Sequence, residues 1–594
     1  RPVIGPNGWV VPLTSPYGAI VWAIDPATNV QKGYSTGERV PAGFMVTSFQ
    51  GGFPAGYVLP LDAFTGPLYI PYPRTATYAA GTTLTTDLRV RAGTVLSRGT
   101  VLPVQAKVLP TFDIVDANAF FQQGFSAYDL SGAAGLIVQP GTQMDVAMPV
   151  YRFSDMAQAR SLAGDALARA AELALPPLFA ENPAKGTLRQ RAGADVALTG
   201  GLPGLPLSGR PADPLTSGAV IVGENARINV DPGRGIDLTS RGQIQVEGTL
   251  SAPGGHIGII NTRTLMNVFD SYRAAHPNDY GYTPLDPTDG VSVWIGEHAV
   301  LDAAGRAYTA LDVAGNPYGV VLGGGRIQLG GSNAKDPLST GMLSSSTYVV
   351  VREGAEINAD GASAIIGVGT AAGRERREVA TDGGSITVSS YSGFFLDGNL
   401  HARAGGAGTR GGALNLLLES AFYPNVTDLN ARPARILTLT QDWTRQLGAD
   451  LQVGQEDPAF APGRARVSAA QIEAGGFDSL TLMGRSAIVF DGDVRLDLGK
   501  SLTLSQGALY NSREDGRVSL SAPYVLFDGG VLFVGDYNGQ RWGLPTGGTE
   551  GLLQTGSRLD VAARLIDVED TARIVFADTA LDSVGDLRLL PATA

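Results

Sequence analysis

Apolar and polar residues alternate in short runs over much of this chain, most regularly between Ser217 and Ile260. Val220 and Val222, Ile228 and Val230, Ile236 and Leu238, Ile244 and Val246, and Ile257 and Ile259 each mark one face of a three- to five-residue strand. A Gly, Asn or Pro turn follows each of them. Period-two alternation with such punctuation predicts half-buried strands too short for a wide sheet. It suits a chain wound into coils, each strand pairing with its equivalent one turn later.

The text then repeats. Gly-Gly-x-Ile-x-(Leu/Ile/Val) stands at Gly254–Ile259, Gly324–Leu329 and Gly383–Val388, with a variant at Gly411–Leu416. A partner phrase of strand, Gly turn, strand occupies Trp294–Gly305 and Val349–Gly361. Two longer units match each other: Phe125 aligns with Phe477, Leu130 with Leu482 and Gly132 with Gly484. Repetition over hundreds of residues argues against a β-sandwich, which closes after about a hundred. The expected fold class is all-β: a parallel β-helix over 217–594 with about 20 to 25 residues per coil and some 15 to 19 coils, strands about 4.8 Å apart. Ile228, Ile244, Ile257, Ile327, Ile357 and Ile386 are expected to point inward. Leu559–Leu590 is expected to supply four more strands, among them Ala563–Val568, Ala572–Phe576 and Gly585–Leu590.

Other stretches depart from this text. Residues 1–120 are rich in Pro and Tyr, with Tyr69, Tyr72 and Tyr78 among Pro67, Pro71 and Pro73, and are expected to form a small β domain that projects. Residues 121–216 are expected to hold first coils, a flanking helix over about 155–175 with Met156, Ala159, Leu162, Ala163, Ala166, Leu167, Ala170 and Leu173 at helical spacing, and a surface loop over 180–216. An insertion over 262–290 is expected to carry a helical turn at Leu265–Ala275, then Tyr280 and Tyr282. A second interruption, Ala371–Thr381, carries Arg374, Arg376 and Arg377. Insertions of this kind map to loops on one face of a coil stack.

Composition narrows the function classes. The 594 residues include 44 Lys and Arg against 56 Asp and Glu, a formal charge of -12 with no basic track for phosphates, so nucleic acid is not an expected partner. Hydrophobic residues at 44% exclude bulk disorder. There is no Cys, which removes disulfides and thiol chemistry and suits a chain that threads through an oxidising compartment unfolded. No apolar run is long enough for a transmembrane helix. The chain begins at Arg1 without a signal peptide and is expected to be a processed product or a piece of something longer.

Candidate chemistry is sparse. His256, His276, His298 and His401 lack metal-site spacing and are assigned to solvated turns. The Gly323–Gly330 run lacks the helix a phosphate loop needs. Asp491 and Asp493 around Gly492 offer a weak calcium candidate without the full calcium-loop pattern; otherwise no cofactor is expected. Asp231, Arg234 and Asp237 fit a glycan-cleaving groove in residue type, yet Pro232 and Gly233 explain them as a turn. Tyr69, Tyr72, Tyr78, Tyr280 and Tyr282 are the candidate ligand surface, as stacking platforms for sugars; packing between Pro-rich loops is the plainer use of the same rings.

The phrases Trp294–Gly305, Gly323–Gly330, Tyr348–Gly361, Ala469–Leu482 and Ser583–Leu589 resemble the filamentous haemagglutinin family, the large exoproteins of bacterial two-partner secretion. The resemblance covers about 120–594. It implies a right-handed parallel β-helix, an outer-membrane secretion partner, a secreted or cell-surface location, and work as an adhesin or matrix protein that meets a cell-surface glycan or protein receptor and can self-associate. The family's amino-terminal secretion domain is not visible here. A β-helix polysaccharide lyase or glycosidase is the alternative expectation, and a toxin-delivery stalk a third.

Overall fold

The computed structural model describes residues 115–132, 135–201, 218–262, 291–331, 347–370, 373–419, 434–454, 460–529, 554–569 and 572–591, together with short stretches between 3 and 108. Two compact units are present. Residues 1–116 make up most of the first; Ala117–Gly201, Gly218–Val268 and Thr283–Ala594 make up the second.

In the first unit five strands form an antiparallel sheet, ordered Gln31–Ser35, Ile20–Ile24, Met45–Gln50, Val3–Ile4, Phe64–Thr65. Val11, Ala23, Tyr34 and Val40 are buried. Ala76–Tyr78 pairs with Ala106–Val108.

The second unit is a parallel β-helix. In the coil beginning at Gly235 the chain runs along one sheet (Gly235–Ser240), turns into a second (Ile244–Val246), then a third (Thr249–Ser251), and re-enters the first at His256–Asn261. Gly235 pairs with His256, Ser479 with Ser501 and Ser501 with Tyr524, so uninterrupted coils are 21 to 23 residues long, as the repeat predicts. The stack begins before 217: Ala127–Gly132 pairs with Asp195–Gly200, which pairs with Gly235–Ser240.

Alternation puts every second residue inside, and the register aligns them into columns. One column runs Tyr128, Val196, Ile236, Ile257, Ile327, Ile386, Leu414, Leu480, Leu502, Val525, Ile566, and ends at Leu587 of the last coil, which is exposed. The six isoleucines expected to point inward are all buried. Leu130 and Leu482 occupy equivalent positions in the neighbouring column, as do Gly132 and Gly484 at the strand ends. Their aligned partners Phe125 and Phe477 differ: Phe477 is buried and Phe125 is 61% exposed. At the corner between first and second sheets, buried Ser240 and Ser390 each donate to a carbonyl of the adjacent turn and accept an amide two residues on, which satisfies polar groups that the bend takes out of the ladders.

Several expectations are corrected. Within 217–594 the first sheet is crossed ten times among the described residues, not 15 to 19, because insertions lengthen many coils. The helix expected over 155–175 is two short ones, Met156–Ser161 and Gly164–Ala170. Asp155 caps the first by accepting the amides of Ala157 and Gln158, Leu162–Ala163 is extended, and Ala171–Ala174 is a strand paired with Val150–Phe153. The loop expected over 180–216 contains the hairpin Phe179–Asn182/Thr187–Gln190 and a full first-sheet strand, Asp195–Gly200; 202–217 lies outside the described residues. The interruption at 371–381 belongs to a long hairpin, Ser363–Thr370 with Gly373–Ala380. With a third hairpin, Ala307–Leu311/Pro317–Val321, these leave the coils on the way from the third sheet to the first and pack side by side; the rings of Phe179 and Tyr308 lie 4.4 Å apart. The last two coils do not break at this corner: Arg558–Glu569 and Asp578–Leu590 run through it as single strands.

Candidate functional site

The regular stacking fails at one coil, and a cleft opens there. Along the corner that follows the third sheet, Ala252, Ala303, Ala359 and Ala402 are fully buried. The amides of the first three donate to the carbonyls of Asp302, Asn358 and His401, the strand one coil on. Ala402 donates instead to Gly475, the C-cap of the helix Ala469–Ala474. This helix stands where the next third-sheet strand belongs, between Asn399–His401 and Val494–Asp497, and turns Ala469 and Ile472 into the core. It forms because Ser468 and Gln471 make a capping box: the serine hydroxyl accepts the Gln471 amide at 3.1 Å, and the glutamine side chain accepts the Ser468 amide at 3.3 Å. Gln471 Nε2 then donates to Leu396 O at 2.9 Å, so the helix is tied to the preceding coil at both ends.

The second sheet changes at the same coil. Ile436–Thr440 pairs with Ala487–Phe490 on one side and with Arg464–Ser468 on the other; Arg464–Ser468 in turn pairs with Gly393–Leu396. The chain therefore steps backward along the stack, and the segment between these strands returns over the outer face of the second sheet. Leu447 and Leu451 pack there on Trp294, Tyr348, Val350 and Phe395. Tyr348 stacks on Phe460, ring centres 5.0 Å apart, and donates its hydroxyl to Phe460 O at 3.1 Å. Arg352, nearly buried, lies 5.3 Å over the Trp294 ring and donates to Gly448 O and Ala449 O at 3.0 and 2.6 Å. Asp397 accepts the Gln446 and Leu447 amides at 2.9 and 3.2 Å. Burial pushes the Asp397 carboxyl above its usual range, opposed by those two amides and by Arg352. Arg445 pairs with Glu353.

Between the third-sheet surface, the helix and the returning segment lies a cleft of about 590 Å³. Leu396, Leu414, Ile472 and Phe477 form its apolar depth, Glu356, Asn399, His401, Arg403 and Gln471 its polar wall, and Trp443 its exposed aromatic side. Asn399 Nδ2 donates to Glu356 Oε1 at 2.8 Å. The His401 ring sits between two carboxylates, Nε2 3.4 Å from Glu356 and Nδ1 2.9 Å from Asp360. Arg403 donates its amide to Asp360 at 2.6 Å, brings Nη1 within 3.2 Å of His401 Nδ1, and reaches Ala474 O with Nη2 at 3.3 Å. A smaller concavity of about 320 Å³ at Asp382, Arg410 and Lys500 is Gly-lined, but the Gly383, Gly384, Gly411 and Gly412 amides are already bonded within the protein, which leaves no cradle for an anion.

Sequence reasoning assigned His401 to a solvated turn; it lies in a third-sheet strand with its side chain only 12% exposed. His298 is exposed in a turn, and His256 hydrogen bonds Asp237 at 3.2 Å. His276 lies outside the described residues, as do Tyr69, Tyr72, Tyr280 and Tyr282; Tyr78 is described only as part of its strand. Asp231 forms a buried pair with Arg191 at 2.6 Å beside a turn at Gly233, so it does not converge with Asp237. Asp491 accepts Ser512 Oγ and Arg513 Nε, and Asp493 accepts the Arg517 amide, around a left-handed Gly492. Among the described residues no group of three or more His, Asp or Glu is arranged to hold a metal ion. Glu356, Asn399, Arg403 and Trp443 were missed. The Ser-x-x-Gln signature of the capping box at Ser468 was the available signal for the helix that makes the cleft.

When the chain was compared with protein-family models, curated proteins and solved structures, no match was found.

Proposed function

We propose that this chain is a filamentous haemagglutinin-like adhesin or matrix protein, secreted or held at a bacterial surface, in which the β-helix is a scaffold and the added segments do the binding. One observation carries this reading. The interior of the second unit is a hydrophobic cluster reaching from Phe121 to Phe576; the hairpins and the returning segment are added outside it, and the helix Ala469–Ala474 closes it with Ala469 and Ile472, without interrupting the first sheet. Such a core holds an exposed binding surface rigid, so little freedom is lost on association. Export through an outer-membrane partner and a glycan or protein receptor belong to the same proposal and rest on the family resemblance.

A polysaccharide-cleaving enzyme on the same fold needs a carboxylic acid free to give a proton and a second carboxylate across the scissile bond. Of the carboxylates that line the cleft, Asp397 spends both oxygens on backbone amides, Glu353 pairs with Arg445, and Glu356 accepts the Asn399 side-chain amide. These engagements support binding without cleavage. The test is incubation of the purified chain with acidic and neutral polysaccharides, with and without calcium. Saturable binding with unchanged polymer length is expected; new reducing ends or unsaturated sugars formed at catalytic rates overturn the proposal.

A further inference from the structure

We infer that the cleft beside the helix Ala469–Ala474 binds a segment of a neutral oligosaccharide, an assignment that rests on the adhesin reading and names the ligand class for this site. The volume of about 590 Å³ lies within the range of small-ligand sites, about 300 to 1,000 Å³. Trp443 is 37% exposed on the cleft wall, although the segment that carries it is fixed before it by the strand Ile436–Thr440 and after it by the Glu353–Arg445 pair and the Asp397 bonds to Gln446 and Leu447. A large aromatic kept uncovered on a fixed segment costs little entropy when a flat apolar surface stacks on it. The C–H face of a pyranose is such a surface.

Opposite stand a carboxylate, an amide and an imidazole on adjacent strands, Glu356, Asn399 and His401. Their mutual bonds leave further lone pairs on the Glu356 oxygens and the whole of Asn399 Oδ1 able to accept. Hydroxyl groups, which both donate and accept, match this mixture. A wholly apolar ligand would strip water from these groups without replacing it. A sulfated or uronate polymer meets Glu353 and Glu356 and a chain of charge -12, while Arg403 is already committed to Asp360. An extended peptide adding to the third sheet is blocked, since the helix Ala469–Ala474 stands against the strand Asn399–His401 and Gly475 already accepts the amide of Ala402, the residue that follows it.

The experiment titrates the full chain with short neutral oligosaccharides built from glucose, mannose, galactose and N-acetylhexosamines, and with sulfated and uronate oligosaccharides, by calorimetry and tryptophan fluorescence. At least one neutral series is expected to bind, with affinity falling about tenfold or more in Trp443→Ala and in Asn399→Ala while the unfolding midpoint holds. Both residues lie on the surface, and Trp443→Phe should restore part of the binding that Trp443→Ala removes. Failure of every neutral series, binding of charged sugars or peptides only, or neutral binding indifferent to both variants overturns the assignment. Neutral binding elsewhere on the chain leaves the adhesin reading standing; cleavage of a sugar bound in the cleft overturns the adhesin reading alone.

Discussion

Ala402 donates its amide to Gly475 O at 2.9 Å, across the same corner where Ala359 donates to His401 O at 2.9 Å. The donors are equivalent and the acceptors are not: one belongs to a strand, the other to the cap of a helix. A single coil thus keeps its corner hydrogen bond while exchanging the element that supplies the acceptor, and the cleft is the space this exchange leaves.

The interior columns give the first prediction. Ile327 lies fully buried between Ile257 and Ile386. Ile327→Asp places a carboxyl among aliphatic side chains with no donor, so a loss of at least about 3 kcal/mol in unfolding free energy is expected by denaturant titration. A midpoint equal to the parent's would contradict the inward assignment.

Asp397 anchors the returning segment. In Asp397→Ala the Gln446 and Leu447 amides lose their acceptor, with a cost of about 1–3 kcal/mol. Hydrogen exchange should accelerate at those two amides and leave the first-sheet strand Ala413–Leu418 unchanged.

The pair His256 and Asp237 should make a small part of the stability pH-dependent. The hydrogen bond to Asp237 raises the His256 pKa above its ordinary value, with burial opposing it. A raised pKa on a base means that the contribution is fully present below about pH 6.5, the unfolded value, and is lost as pH rises through the folded one. Asp237→Asn should bring the His256 proton resonance titration back toward the ordinary value.

Near the last coils, Asp567 accepts Arg588 through both oxygens, at 2.6 and 2.7 Å, and Tyr524 Oη at 2.9 Å. The Arg588 bonds hold the Asp567 carboxyl below its usual range, so its contribution is present above about pH 4 and fades as pH falls. Burial first, and then Asp567, push Tyr524 up to about 12, so the tyrosine's contribution is complete below about pH 10 and fades as pH rises toward 12. Tyrosinate absorbance, compared between the parent and Tyr524→Phe, should show this late titration, and Asp567→Asn should move it to lower pH.

Read alone, the sequence determined the winding. Strand, turn and strand are local properties, and alternation decides which side chains face inward whatever lies one coil away, so the coil length and the inward isoleucines were legible before any coordinates. Coil number was not, because a hairpin such as Ser363–Ala380 is written in the same strand-and-turn text as the coils it leaves. Pairing order was not legible either: Arg464–Ser468 lies before Ile436–Thr440 in the sheet and after it in the chain, an arrangement that depends on Trp294, Tyr348 and Phe395 being present to bury the returning segment. His401 shows the same limit. Its neighbours in sequence are Leu400 and Ala402, but Glu356 and Asp360 on the adjacent coil give it its surroundings. Backbone periodicity acts between neighbours in the chain, and the cleft is made by groups brought together from separate coils, so only the tertiary structure decided where it lies and what lines it.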